Sequence, residues 1–327
     1  MHQSEGIGIA AVGVFSTLIV LAVAVSWMRC KDKSYIPVCE PQACPSEVHV
    51  NVEAEKCVHA AETSIASASD PVDIVCGLDF ATVPCYGLRN DVLRSIARRR
   101  DLTTDDIAAL MEYVAATSCV MRVEREAALK NNVLNLLRNQ KHQPEGLADL
   151  LLDMVASRQH ASVVIDYCIQ HLGAMSGSIS DDLTKARIRE TFVVAAKDLG
   201  ETYSGTALYS LAEMPNKSKS ESDELRRLAV AACGESANTI ARISAIQLAG
   251  ERGYLETLPM LRGILAGTRR DAVLDMTVVG SIGLMGDVAD IQLLELFRSR
   301  GGRRLKPAID AAVQRIRERH FAKQTKR

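Results

Sequence analysis

Six cysteines and two histidines lie close together in the first 119 residues of the chain. Zinc sites in proteins are built from thiolate and imidazole ligands, so this set contains the ligand types that one zinc ion needs. Zinc-binding segments usually hold two cysteines separated by two residues, and no such pair occurs here, since the closest pair is Cys39 and Cys44. We therefore expect no metal site. The six cysteines are Cys39, Cys44, Cys57, Cys76, Cys85 and Cys119.

Disulfide bonds are a second role for these cysteines. An even, clustered set next to an apolar segment is typical of a domain in an oxidising compartment. Cys39–Cys44 and Cys76–Cys85 would be the simplest local pairs. The alternative is that the thiols stay reduced and pack as small apolar side chains. The sequence leaves both interpretations open.

The chain lacks the motifs of common catalytic sites. It has no G-x-S-x-G, no phosphate-binding loop and no H-E-x-x-H. His160 and His171 flank a helical pattern, which favours surface or hydrogen-bonded histidines over ligands. The acid pairs at 105–106 and 181–182 open predicted helices, where carboxylates stabilise the helix dipole. We expect no catalytic residue, no cofactor and no small-molecule substrate.

Residues 6–28 predict a membrane anchor. This run contains no charged residue and would be about 34 Å long as a helix, enough to cross a hydrocarbon core of about 30 Å. Trp27 would lie at the headgroup layer, with Arg29, Lys31 and Lys33 beside it. A cleaved signal peptide is the alternative. It is disfavoured because residues 1–5 contain no lysine or arginine.

Two features disagree about the side of the membrane on which the rest of the chain lies. Arg29, Lys31 and Lys33 follow the apolar run, and the positive-inside rule places such residues in the cytoplasm. The clustered cysteines instead suggest an oxidising, extracytoplasmic compartment. We expect a single-pass membrane protein with a slight preference for a cytoplasmic body.

Beyond the anchor, composition and periodicity predict helices. Aromatic residues make up only 4% of the 327 residues, and alanine and aliphatic residues dominate. The net charge of −1 gives no support for general nucleic-acid binding. From residue 90 onward, apolar residues recur every three or four positions in about a dozen segments. We therefore divide the chain into residues 1–33 (tail and anchor), 34–89 (linker or irregular cap) and 90–327 (helical domain).

The last third of the chain contains an internal repeat. At an offset of about 36 residues, Ile246 aligns with Ile282, Leu248 with Leu284, and Gly250 with Gly286. Each unit is predicted to be an apolar helix ending at a glycine, followed by a tight turn and a second helix with a leucine stripe. A helix pair of this size cannot bury its apolar face alone, so pairs stack. The repeat is clearest over 224–321.

These units resemble HEAT or armadillo-type repeats, whose pattern is visible at Ala241-Arg242, Ala245, Ala249-Gly250, Leu258 and Leu261. The resemblance implies an all-α solenoid of stacked helical hairpins that acts as a scaffold or adaptor for a protein partner. We expect the second helices of the units, near 254–266 and 288–299, to line the binding surface. A disulfide-stapled structural component of the cell envelope is the alternative function.

Two basic runs accompany the repeats, one at 94–100 and one from Arg298 to the end of the chain. A solvated polar end is what a helical stack requires, and this is the favoured interpretation. The alternative is a patch for acidic partners or anionic lipid.

Overall fold

A computed structural model describes residues 86–97, 99–117, 123–215, 217–269, 271–300 and 303–325. Within these ranges the protein is all helical, with thirteen α-helices, one 3-10 turn at Leu255–Thr257 and no strand. The helices are α1 Tyr86–Ile96, α2 Thr104–Ala115, α3 Val123–Arg138, α4 Leu147–Ser157, α5 Ser162–Met175, α6 Asp182–Lys197, α7 Tyr203–Glu213, α8 Lys219–Ala232, α9 Thr239–Arg252, α10 Leu258–Ala266, α11 Ala272–Met285, α12 Val288–Arg300 and α13 Lys306–Gln324.

The predicted all-α class is confirmed, and several predicted helix ends are close to those observed. Asp181 caps α6 through its carboxylate, which accepts the backbone N–H groups of Leu183 and Thr184. At α2 the capping residue is Thr103, Asp106 completes the capping box, and the acid pair at 105–106 lies in the first turn. These ends are predictable because a cap depends on residues within a few positions of it.

The helices form two layers that alternate along the chain. Each odd-numbered helix packs against the previous and the next odd-numbered helix, from α1 through α13. The even-numbered helices form the other layer, in which α4, α6 and α8 are neighbours, as are α10 and α12. Each helix of the even layer also packs against the odd-numbered helix that follows it. The apolar core lies between the two layers and continues from α1 to α13.

Small residues bring the helices of the odd layer close together. A Cβ atom placed on Gly205 of α7 would lie 2.7 Å from the Ser244 Cβ of α9, and one on Gly250 of α9 would lie 2.7 Å from the Ser281 Oγ of α11. The same side chain of Ser281 donates a hydrogen bond of 2.9 Å to the Ile246 carbonyl. Glycine at these crossings therefore sets the spacing of the layer.

Arginine–carboxylate pairs join the helices of the even layer. Four such pairs connect its successive helices, the third through the 3-10 turn that precedes α10. They are Asp149–Arg187, Glu221–Arg189, Glu256–Arg226 and Asp290–Arg262. Most of these side chains are partly exposed, so each pair alone stabilises the fold little. The exception is Asp290, which is 2% exposed.

Asp290 should therefore contribute more to the stability of the fold than Asp149. Its carboxylate accepts two hydrogen bonds from Arg262, at 2.6 and 2.9 Å, and one of 2.9 Å from the Asp287 backbone N–H. We expect Asp290→Ala to lower the free energy of unfolding by about 1–3 kcal/mol. The matched change Asp149→Ala should cost at most about 0.5 kcal/mol. Urea unfolding followed by circular dichroism measures both, and equal losses would contradict the prediction.

The repeat predicted from sequence differs from the structure at its turns. Gly250 was expected to end its helix, but it lies inside α9, and the helix ends at Gly253, which has a φ of 72°. Gly286 does end α11, although its φ of −65° is not left-handed. Ile246 and Ile282 are both fully buried, as their alignment requires, whereas Leu284 is 41% exposed and its counterpart Leu248 is buried.

The predicted anchor over 6–28, its flanking residues Trp27, Arg29, Lys31 and Lys33, and the six clustered cysteines all lie outside the described residues. Among the helices that the structure describes, none combines the length and the apolar character that crossing a bilayer requires.

Candidate functional site

Helix α11 is apolar on all sides, although one of its faces is exposed. Its only charged residue is Asp275, and this residue is 2% exposed. On the outer face, Val273 is 61%, Met276 is 47% and Leu284 is 41% exposed. A helix that is apolar all round is normally buried on all sides. The outer face of α11 departs from this rule, and we call Val273, Met276, Gly280 and Leu284 the α11 strip.

Gly280 leaves the middle of the α11 strip open. A Cβ atom placed there would meet no atom within 4 Å, whereas one placed on Gly283, one turn later, would lie 2.8 Å from the Ala312 Cα. A glycine in a helix interior costs roughly 0.5–1 kcal/mol relative to alanine. Gly283 has a packing reason for this cost, but Gly280 has none within the described residues. A partner that approaches the α11 backbone closely would provide one.

The neighbouring surfaces differ in character. On α9, which packs against α11, Ile240 is also 60% exposed. The even layer exposes charged side chains, including Asp149, Arg187 and Glu295, between separate apolar ones. Exposed apolar residues are normal when scattered, but a contiguous patch marks a contact site. The α11 strip and Ile240 therefore form our candidate functional site.

An open depression of about 620 Å³ lies beside α8 and the 3-10 turn. Its lining is polar and mixed in charge, and the Arg226 guanidinium donates to both carboxylate oxygens of Glu256 across it. The guanidinium also lies 5.9 Å from the centre of the Tyr254 ring. This arrangement satisfies its own charges and does not present one sign of charge to a ligand. The lining residues are Lys219, Ser220, Asp223, Arg226, Arg227 and Glu256.

Ionisable residues are buried between α2 and α3. Glu126 is 5% exposed and accepts a hydrogen bond of 3.4 Å from the Tyr113 hydroxyl, while the ammonium group of Lys130 donates to the Ala116 carbonyl. Burial raises the pKa of Glu126, against the opposing effect of nearby Lys130. The depression beside α8 does not reach this cluster. The cluster therefore serves to join the two helices.

The two described cysteines are unsuited to nucleophilic chemistry. Cys168 and Cys233 are both buried and unpaired. Burial raises the pKa of each thiol to about 12, so both thiols remain protonated at neutral pH. A protonated, inaccessible thiol is a poor nucleophile and a poor metal ligand. These side chains act as packing residues.

Sequence reasoning missed the α11 strip. It treated 270–284 as one apolar segment and aligned Leu284 with the buried Leu248, because periodicity alone cannot say which side of a uniformly apolar helix is covered. His171, predicted to be a surface or hydrogen-bonded residue, is buried and hydrogen-bonded to Asn131 at 3.0 Å. Within the described ranges, no three His, Cys, Asp or Glu side chains are grouped to hold a metal ion.

Comparison of the chain with protein-family models, curated proteins and solved structures gave no match. The candidate site therefore depends on the geometry of the chain itself.

Proposed function

We propose that the protein is a membrane-tethered helical-repeat scaffold of HEAT-like type that binds a protein partner and performs no catalysis. The observation that carries this proposal is the exposed, uncharged outer face of α11. Two-layered helical stacks of this kind present extended surfaces to partners. The tether is the apolar run at residues 6–28.

The partner should present an apolar segment that covers the α11 strip. No exposed position of the strip carries a charge, so a charged ligand would gain nothing there. Met276 adds a flexible, polarisable side chain that can adapt to an apolar surface. Gly280 lets the partner backbone or a large side chain come close to the helix. These features together suit an apolar helix face of another protein.

The proposed surface differs from the one expected from sequence. The second helices of the sequence repeat, near 254–266 and 288–299, correspond to α10 and α12, which belong to the even layer. The exposed apolar side chains of α11, together with Ile240 of α9, instead favour these two odd-layer helices as the docking helices.

Gly280→Lys should abolish partner binding without weakening the fold. A lysine side chain has open space at this position, and lysine favours a helix over glycine by roughly 0.5 kcal/mol or more. The new ammonium group would have to be desolvated beneath an apolar partner. The measurement is photo-crosslinking in cells, with a crosslinking amino acid at position 276 of the full chain, in the presence and absence of Gly280→Lys.

The control places the crosslinker at Lys197, an exposed residue of the even layer. We expect one protein to be captured from position 276 through an apolar segment, no capture from position 197, and loss of capture in Gly280→Lys. Equal capture from both positions, or capture that survives Gly280→Lys, would overturn the proposal. Non-reducing electrophoresis of the same samples tests the disulfide-stapled alternative, which requires a change in mobility on reduction.

A further inference from the structure

One edge of the stack carries the N-terminal ends of the odd-numbered helices. Ser162, at the start of α5, donates a hydrogen bond of 2.6 Å to Glu201, which precedes α7. The Asn238 backbone N–H, which precedes α9, donates a bond of 2.7 Å to the Leu199 carbonyl. These bonds join the connections that come before α5, α7 and α9. The same stacking continues through α11 and α13, so their N-terminal ends share this edge.

Four cations at this edge have no partner among the described residues. Arg300, Arg303, Arg304 and Lys306 are exposed and form no ion pair or side-chain hydrogen bond within the described ranges. The nearby carboxylates of Glu295 and Asp310 are both paired with Arg298, at 2.8 and 2.6 Å. No acidic residue occurs between positions 295 and 310. The connection between α12 and α13 therefore carries a concentrated positive charge. We call its four cations, Arg300, Arg303, Arg304 and Lys306, the basic corner.

The fold holds the basic corner in place. Leu305 lies between its cations in the sequence and is 3% exposed, packed into the core. Because this side chain points inward, the flanking Arg304 and Lys306 are held at the surface. Helix α13 also begins without a side-chain cap, so its first backbone N–H groups add positive potential at the same place.

Exposed apolar side chains accompany these cations. Leu296, one helical turn before Arg300, is 58% exposed, and Pro307, which follows Lys306, is also exposed. A surface that combines unpaired cations with exposed apolar side chains fits the boundary between lipid headgroups and acyl chains. It fits a nucleic acid less well, because the phosphate backbone gains nothing from the apolar residues.

We propose that the basic corner and the neighbouring apolar side chains bind the surface of a membrane that contains anionic lipid. The inference uses the tether of the proposed function only to bring the helices near a bilayer. About 57 residues separate the apolar run from α1, and an extended chain of that length reaches well over 100 Å, so either face of the stack can approach the bilayer. Tethering raises the local lipid concentration, so a weak contact is sufficient.

Hydrogen exchange on the full chain reconstituted in vesicles tests this contact. One kind of vesicle contains phosphatidylcholine alone. In the other, about 30% of the lipid is anionic phosphatidylserine. We expect slower amide exchange at 296–310 only in the anionic vesicles, with the effect lost at 0.5 M salt (roughly a 4 Å Debye length). Arg303→Glu with Arg304→Glu should abolish it. The matched change Lys197→Glu with Arg227→Glu, on exposed even-layer residues, should leave it intact.

Equal exchange in the two kinds of vesicle would overturn the proposal, and so would protection that survives charge reversal at 303 and 304. Protection by added RNA but not by anionic lipid would also overturn it. Exchange elsewhere in the helices of each variant shows that the fold is intact. Partner capture through position 276 is measured separately, so a failure of lipid binding is distinguished from a failure of the scaffold function.

Discussion

Replacing Gly283 by alanine should destabilise the protein by about 2 kcal/mol or more, whereas the same change at Gly280 should stabilise it. Both glycines lie in α11, one turn apart. A Cβ atom on Gly283 would lie 2.8 Å from both the Cα and the Cβ of Ala312 in α13. The Cα belongs to the backbone, so the clash can be relieved only by moving α13 away from α11. Overpacking of this kind typically costs about 1–3 kcal/mol.

Gly280 provides the matched control on the same helix. Its Cβ would meet nothing within 4 Å, so alanine gains roughly 0.5–1 kcal/mol of helix propensity without a clash. Urea unfolding of the full chain in detergent, followed by far-ultraviolet circular dichroism, gives both values. Opposite signs are expected, and losses of similar size at the two positions would show that the odd layer is not set by this crossing.

A second variant tests the origin of the loss at Gly283. Ala312→Gly removes one of the two atoms that the new Cβ would strike. The double variant Gly283→Ala with Ala312→Gly should therefore recover part of the stability, giving a favourable coupling energy between the two positions. A coupling energy of zero would indicate that the alanine at 283 acts through the helix itself and not through α13.

Local signals made most of the helices predictable. Asp181 and Thr103 cap their helices through side chains that act within three residues, so the sequence around them contains the whole interaction. The leucine stripe of the second repeat helices was also visible, and Leu258 and Leu261 are buried as their spacing predicts. These features depend on short-range geometry, which sequence patterns describe well.

The candidate site was not predictable for a physical reason. In α11 every face is apolar, so the periodicity that distinguishes a buried face from an exposed one is absent. Whether Leu284 is covered depends on how α9 and α13 are placed, and that placement depends on contacts between residues more than 30 positions apart, such as Gly250 with Ser281. The roles of Gly250 and Gly283 have the same origin, because a glycine at a helix crossing and one at a helix end look alike in sequence.

His171 should make the protein less stable as the pH falls from 6.5 towards 4. The side chain is 4% exposed, and burial, with a smaller effect from Arg138, lowers its pKa from 6.5 to about 4. Because the Asn131 Oδ1 accepts the bond of 3.0 Å, the Nε2 atom carries the hydrogen. The Nδ1 atom is buried and has no hydrogen-bond partner within the described residues. A proton on Nδ1 would therefore add an unpaired N–H group and a buried charge.

The size of this loss of stability follows from the difference in proton binding at His171 between the folded and the unfolded chain. Between pH 6.5 and 4 the unfolded chain protonates this histidine and the folded chain does not, so the free energy of unfolding decreases as the pH is lowered. A shift of this size corresponds to about 3 kcal/mol when the pH reaches the folded pKa. Above pH 6.5 the histidine is neutral in both states and contributes no pH dependence.

The test compares the full chain with His171→Gln at pH 7.5 and pH 4.5 (about one unit above the unfolded pKa and two below it) by urea unfolding. Glutamine stays neutral and can still donate to Asn131, so it should remove most of the difference between the two pH values. His160, which is only partly buried and whose pKa is lowered chiefly by burial, is the matched control. We expect His160→Gln to remove much less of the difference.

If His171→Gln keeps the pH dependence of the wild type, groups other than His171 cause the acid instability. Carboxyl groups whose pKa is lowered in the fold, such as Asp290 and Glu256, act in that direction. Glu126 and Asp166, whose pKa is raised by burial, act in the opposite direction.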